Sequence, residues 1–267
     1  MASRLFMAAL RYWPLAPSAL LSGLPSSAAS RGPEQTVAEP ADLLQQFLKG
    51  NSRQRQRLWK AMPAKTPALS EAIWGLLESQ SRQADDWAIG SLLRLLAEDP
   101  DQLAKLDANY PEGWLVAPGV GAERCADLQR CLLLGELEEA DRLTTAQLRA
   151  LAGPAAEERG YVYFSEVPAM PIAELSHLDA LWWFYSGGRY GFRVQRQQIE
   201  RLRWRWEQLW PQIGWKNEGS WTRYPGAFTW SHDAPEGHMP LVNQLRGVRL
   251  MDAYLRHPAI DQALEAP

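Results

Sequence analysis

The chain has 267 residues and a net charge of −3, long enough to bury a sizeable core and too nearly neutral to bind polyanions as a whole. Of its 28 basic residues 23 are arginine, a supply of planar cations that can bond two oxygens at once. Cys125 and Cys131 are spaced so that a helix turns them apart, which argues against a disulfide or a shared metal, and no apolar run reaches the length of a membrane span.

In chain order, residues 1–35 come first. They carry Arg4, Arg11 and Arg31, no acid before Glu34, and much Ala, Ser, Leu and Pro, so they read as a disordered or targeting-like extension outside the fold. Residues 36–110 read as an N-terminal helical bundle. "ADLLQQFLKG" ends on Gly50 as a helix stop, Ser70 is the expected N-cap of "SEAIWGLLESQ", and Trp87, Leu92, Leu95 and Leu96 fall near one helical face. Residues 111–123, rich in Pro and Gly, read as a linker.

A second domain is expected over 124–258, with 259–267 as a tail. It opens with two antiparallel helices that turn at Gly135 and stop at Gly153. "GYVYFSEVPAMP" is a loop, and "IAELSHLDALWWFYSGG" is a helix ended by Gly187 and Gly188. "VQRQQIERLRWRWEQLW" reads as one helix with Ile199, Leu202, Trp206 and Leu209 on a face, ended by Pro211. An irregular loop over 212–240 precedes a last helix, "LVNQLRGVRLMDAYLRH". With no convincing alternating strands, the fold class is all-α.

Eight of the thirteen tryptophans lie between Trp182 and Trp230. Most aromatics at helical spacing are core, but Trp215, Trp221, Tyr224, Phe228 and Trp230 sit in a glycine-containing loop, better suited to covering something. On the last helix, Val242, Arg246 and Arg249 form a stripe at i, i+4, i+7. Two guanidiniums one turn apart can clamp two carboxylates on a flat apolar molecule. A solvated arginine face is the plainer alternative. Catalytic signals are weak: no Walker loop, GxSxG or dinucleotide fingerprint, and the four histidines make no HExxH. His177 or His238 as a metal ligand defines one rival, a haem or metalloporphyrin enzyme. The other is a single-stranded nucleic-acid binder using the eight basic residues between Arg189 and Arg223.

"LWWFYSGGRYGFRVQ", "LWPQIGWKNEGSWTRYPGAFTW" and "APEGHMPLVNQLRGVRL" resemble the Genomes-Uncoupled-Four (GUN-four) porphyrin-binding family, regulators of magnesium chelatase, in its cyanobacterial type. The resemblance covers about Leu128 to His257. It implies an all-helical cup that binds protoporphyrin IX and Mg-protoporphyrin IX as ligands, not as a cofactor. It also implies a non-catalytic activator whose partner is the porphyrin-binding H subunit of magnesium chelatase. A monomer in the cytoplasm or plastid stroma, with peripheral thylakoid association, fits the same picture. By motif, Phe164 and Val167 belong to the apolar palm, Trp221 and Tyr224 to the loop over it, and Arg246 and Arg249 to the rim. Tyr224 stands where some relatives have tryptophan, and Gly187 where asparagine is common.

Overall fold

The computed structural model describes residues 40–83, 85–118, 122–242 and 248–265. The extension expected over 1–35 lies outside them. The described residues form thirteen α-helices and one two-residue-stranded hairpin, so the fold is all-α.

The first five helices are α1 (Pro40–Lys49), α2 (Ser52–Trp59), α3 (Thr66–Leu77), α4 (Trp87–Ala97) and α5 (Pro100–Asn109). Asn51 closes a capping box with Gln54 at the start of α2. Ser70 is not the cap expected of it. The helix starts at Thr66, since Pro67 is tolerated in a first turn, and the Ser70 hydroxyl donates back to the Thr66 carbonyl at 3.0 Å. Asp86 caps α4 by accepting from the Ala88 N–H at 3.0 Å, and Arg55 of α2 grips the same carboxylate with both terminal nitrogens.

The apolar stripe expected on α4 is a belt: Trp87, Ala88, Ile89, Leu92, Leu93, Leu95 and Leu96 are all buried. A helix that is apolar all round belongs inside. It packs on α9 (Ile172–Tyr185) so tightly that a Cβ at Gly90 would lie 2.1 Å from the Phe184 carbonyl oxygen. One core therefore runs from Leu43 to Ile260. The segment after α5 is fastened to it. Arg82 donates to the carbonyls of Gly113 and Trp114, and the Gln129 amide bonds both backbone groups of Leu115.

Helices α6 (Ala122–Leu134) and α7 (Leu137–Ala152) turn at Gly135 and stop at Gly153, both at positive φ, as the sequence indicates. A short α8 (Pro154–Arg159) follows. Gly187 and Gly188 end α9 at φ +68° and +74°, where a side chain would be strained. The Ser186 hydroxyl then accepts from the N–H groups of Arg189 and Tyr190.

The single helix expected over 194–210 is two: α10 (Phe192–Arg201) and α11 (Trp206–Gln212), with Pro211 inside the second. Arg203 and Trp204 break it at φ +53° and +61°. Trp204 is held there by Arg256 and Arg196, whose guanidinium carbons lie 3.6 and 4.9 Å from its ring. The hairpin pairs Lys216 with Trp221 and Asn217 with Ser220.

The last expected helix also differs. Leu241 and Val242 are not helical, and α12 runs only over Arg249–Leu255. The Leu241 N–H donates to the buried Asp141 carboxylate at 2.7 Å. Val242 and Arg249 thus do not share one helical face, and Arg246 lies outside the described residues. Residues 258–265, mostly assigned to the tail, form α13 (Pro258–Glu265), with Ala259 and Ile260 buried against α9 and α10.

Candidate functional site

The loop after α8 is built around one ion pair. Glu166 accepts from the Arg159 guanidinium at 2.7 and 2.9 Å and from the Tyr163 N–H at 2.7 Å. That backbone bond is the main reason its carboxyl sits below its ordinary pKa. Arg159 also lies over the rings of Tyr161 and Tyr163, at 4.8 and 4.1 Å. This knot fixes the loop while leaving Phe164 45% exposed. Val167 opens a 3₁₀ turn, is fully buried, and packs the loop against α12. Arg249, first residue of α12, places its guanidinium carbon 5.5 Å from the centre of the Phe164 ring. Phe164, Val167 and Arg249, distant in sequence, are therefore brought together.

Trp221 and Tyr224 belong to a second group. Trp206, Trp215 and Trp221 cluster around Trp210, with ring centres 5.3, 5.8 and 5.5 Å from it. The cluster is anchored where Trp215 Nε1 donates to the His238 carbonyl at 2.8 Å. Its outer member, Trp221, is 44% exposed with the Lys216 ammonium 5.4 Å from its ring. Tyr224 is 57% exposed and rests edge-on against Phe228 and Trp230. Its hydroxyl is raised in pKa by burial first and then by the charges of Asp141 and Glu138. Asp141 itself is pushed up to about 7 by burial, against the pull of its bond from Leu241.

Arg246 lies outside the described residues, so the rim shows Arg249. His177 is buried, which lowers its pKa to about 4. His238 is held through Nδ1 at 2.5 Å from the Ile213 carbonyl. Among the described residues no group of three His, Cys, Asp or Glu could hold a metal ion. No helix among them is long and apolar enough to cross a membrane.

The sequence reading missed the Arg159–Glu166 knot. Its signal was present in an arginine before, and a glutamate after, a Tyr-x-Tyr pair. It also missed the part of Asp141, which nothing local in the sequence connects to Leu241.

Residues 122–258 match the family model described as GUN4-like. A Ycf53-like protein of Synechocystis is 40% identical over 177 residues, covering 66% of this chain and 76% of that protein. The tetrapyrrole-binding protein, chloroplastic, of Arabidopsis thaliana is 32% identical over 145 residues, covering 51% of this chain and 55% of that one. The structure of GUN4 from Chlamydomonas reinhardtii, 37% identical, covers 51% of this chain and 86% of its own, with a TM-score of 0.48. With just over half of its length matched by the family model, the chain belongs to the GUN4-like family.

Proposed function

We propose that the chain is a tetrapyrrole-binding regulatory protein that takes protoporphyrin IX and Mg-protoporphyrin IX and stimulates magnesium chelatase through its porphyrin-binding H subunit. The observation that carries this reading is the exposed aromatic pair of opposite kinds, Phe164 under a guanidinium and Trp221 on a cluster of indoles. A porphyrin is a wide apolar disc with two carboxylates on one edge. Exposed rings supply its faces, and Arg249 with Arg246 supplies cations for the propionates. Phe164, Trp221, Tyr224, Arg246 and Arg249 are the proposed contact residues, with the buried Val167 holding the Phe164 loop against α12. They perform no bond-making step, so the reading is a binding regulator rather than a catalyst. The Arabidopsis relative carries tetrapyrrole binding in its name, which supports the same class.

The nucleic-acid alternative has less support. Of the basic residues between 189 and 223, Arg193 pairs with Asp179 and Asp85, Arg196 with Glu200 and Asp261, and Lys216 with Glu207. The deciding experiment is a titration of metal-free and magnesium porphyrins followed by tryptophan emission. Saturable quenching by both is expected. Binding of metalloporphyrin alone would favour a histidine-ligated enzyme.

A further inference from the structure

Helix α10 ends on a left-handed stop of the kind glycine usually supplies. Beyond its cap Leu202, the Arg203 N–H donates to the Glu200 carbonyl and the Trp204 N–H to the Ile199 carbonyl, both at 2.8 Å. Arg203 and Trp204 hold φ at +53° and +61°. A side chain strains the backbone there, and such strain persists where the side chain is used. Trp204 is used inside the fold. Its half-buried ring lies 3.6 Å from the Arg256 guanidinium carbon and meets the Trp206 ring at 65°, 6.0 Å between centres. Arg203 has no such use. Its side chain is exposed and makes neither a hydrogen bond nor an ion pair with any described residue.

Arg201 and Arg205 flank it, both exposed and in no ion pair with a described residue. The Arg205 Nε only reaches back to the Leu202 carbonyl at 3.1 Å. The arginines that touch Trp204 are matched instead, Arg196 by Glu200 and Asp261, and Arg256 by Asp252. On a chain of net charge −3, the turn therefore concentrates three unmatched guanidiniums beside two indoles that the fold holds still. Unmatched guanidiniums fit carboxylates, which they can bond two oxygens at a time. A bilayer would need an apolar anchor, and the exposed large apolar side chains of the described residues all lie outside this turn. A stacked base would need a free ring face, and Arg256 already covers Trp204. A protein segment bearing acids needs neither, and arginine and tryptophan are the residues on which protein interfaces most depend.

We propose that the turn over residues 201–205 docks an acidic segment of a protein partner. Carboxylates of that segment accept from the guanidiniums of Arg201, Arg203 and Arg205, beside the indoles of Trp204 and Trp206. The surface includes none of the proposed porphyrin contacts, so it works whether or not a porphyrin is bound.

The test titrates the full chain into labelled hexaglutamate at low ionic strength and follows anisotropy. Hexaglutamine, phosphatidylglycerol vesicles and oligothymidine form parallel arms. Saturable binding of hexaglutamate is expected, with hexaglutamine silent and added salt weakening the complex. Arg201→Gln, Arg203→Gln and Arg205→Gln combined should weaken it about tenfold, the joint effect of three exposed ion pairs. Arg53→Gln with Arg57→Gln, which removes two exposed arginines from α2, should leave it unchanged. Arg203→Gly removes the side chain and the strain together. It should weaken the peptide about threefold and leave the melting temperature unchanged or higher. A less stable Arg203→Gly would put that side chain's use inside the fold and overturn the proposal. So would the triple variant binding as tightly as the unaltered chain, or an equal loss in the α2 variant. Failure of hexaglutamate to saturate, whether or not vesicles or oligothymidine bind, would overturn it as well.

Discussion

The guanidinium of Arg249 lies over the ring of Phe164, 5.5 Å from its centre. The two side chains therefore form one surface with two chemistries, and substitutions should separate them. Arg249→Ala should weaken a dipropionate porphyrin by roughly tenfold to a hundredfold, the loss of a charge-assisted bond of about 1.5–3 kcal/mol. The dimethyl ester should suffer less. Phe164→Ala should weaken acid and ester alike, because it removes only apolar contact. Arg246→Ala should follow Arg249→Ala. Equal losses for acid and ester in both arginine variants would remove the clamp from the proposal and leave the apolar face. Emission titrations of the six ligand–variant pairs settle it.

Asp141 gives a pH signature. Its folded pKa of about 7 is raised above the usual 3.8, so the folded state holds a proton that the unfolded state has released. Its contribution to stability is therefore full below about pH 4 and is lost as pH rises to about 7. Asp141→Asn keeps an oxygen for the Leu241 N–H and never ionises. It should match the unaltered chain near pH 4 and exceed it at pH 8, by on the order of 1–3 kcal/mol. Urea unfolding at the two pH values measures the difference, and a variant less stable at pH 8 would show that the charge itself is needed.

Two glycines should respond in opposite directions. Gly90→Ala pushes a methyl into the Phe184 backbone and must separate α4 from α9, at a cost of roughly 2–3 kcal/mol or more. Gly75, inside α3, has nothing within 4 Å of an added Cβ, so Gly75→Ala should stabilise by about 0.5–1 kcal/mol. Thermal unfolding of the pair gives the comparison.

Arg193 is the partner of a fully buried carboxylate. Its Nε lies 2.5 Å from Asp179 and its Nη1 lies 2.6 Å from Asp85. Arg193→Met should destabilise by about 3–5 kcal/mol by stranding Asp179. Adding Asp179→Asn to that variant should recover part of the loss, in a double-mutant cycle read by denaturant unfolding.

These positions also show where a sequence stops being readable. The turns at Gly135, Gly153 and Gly187 are legible because glycine is needed where φ is positive. The break at Arg203–Trp204 is not. No glycine or proline marks it, and the apolar positions Ile199, Leu202, Trp206 and Leu209 keep helical spacing straight through it. What decides the break is Trp204 lying between Arg196 and Arg256, a contact between remote parts of the chain. The bond from the Leu241 N–H to Asp141 on α7 is equally invisible in the sequence, since it joins remote parts of the chain. At the proposed contacts, motif resemblance named Phe164 and Arg249, but the Arg159–Glu166 bond that fixes the Phe164 loop was not legible in it.

The indoles around Trp210 have an optical consequence. Rings 5.3 to 5.8 Å apart couple through their transition dipoles, so an excitation absorbed by Trp206, Trp210, Trp215 or Trp221 is shared among them before it is emitted. Trp210 and Trp215 lie 5° from parallel, whereas Trp221 is tilted 53° from Trp210. Light absorbed by the buried pair can leave from the exposed Trp221 with its polarisation rotated. The four behave as coupled indoles rather than as independent reporters.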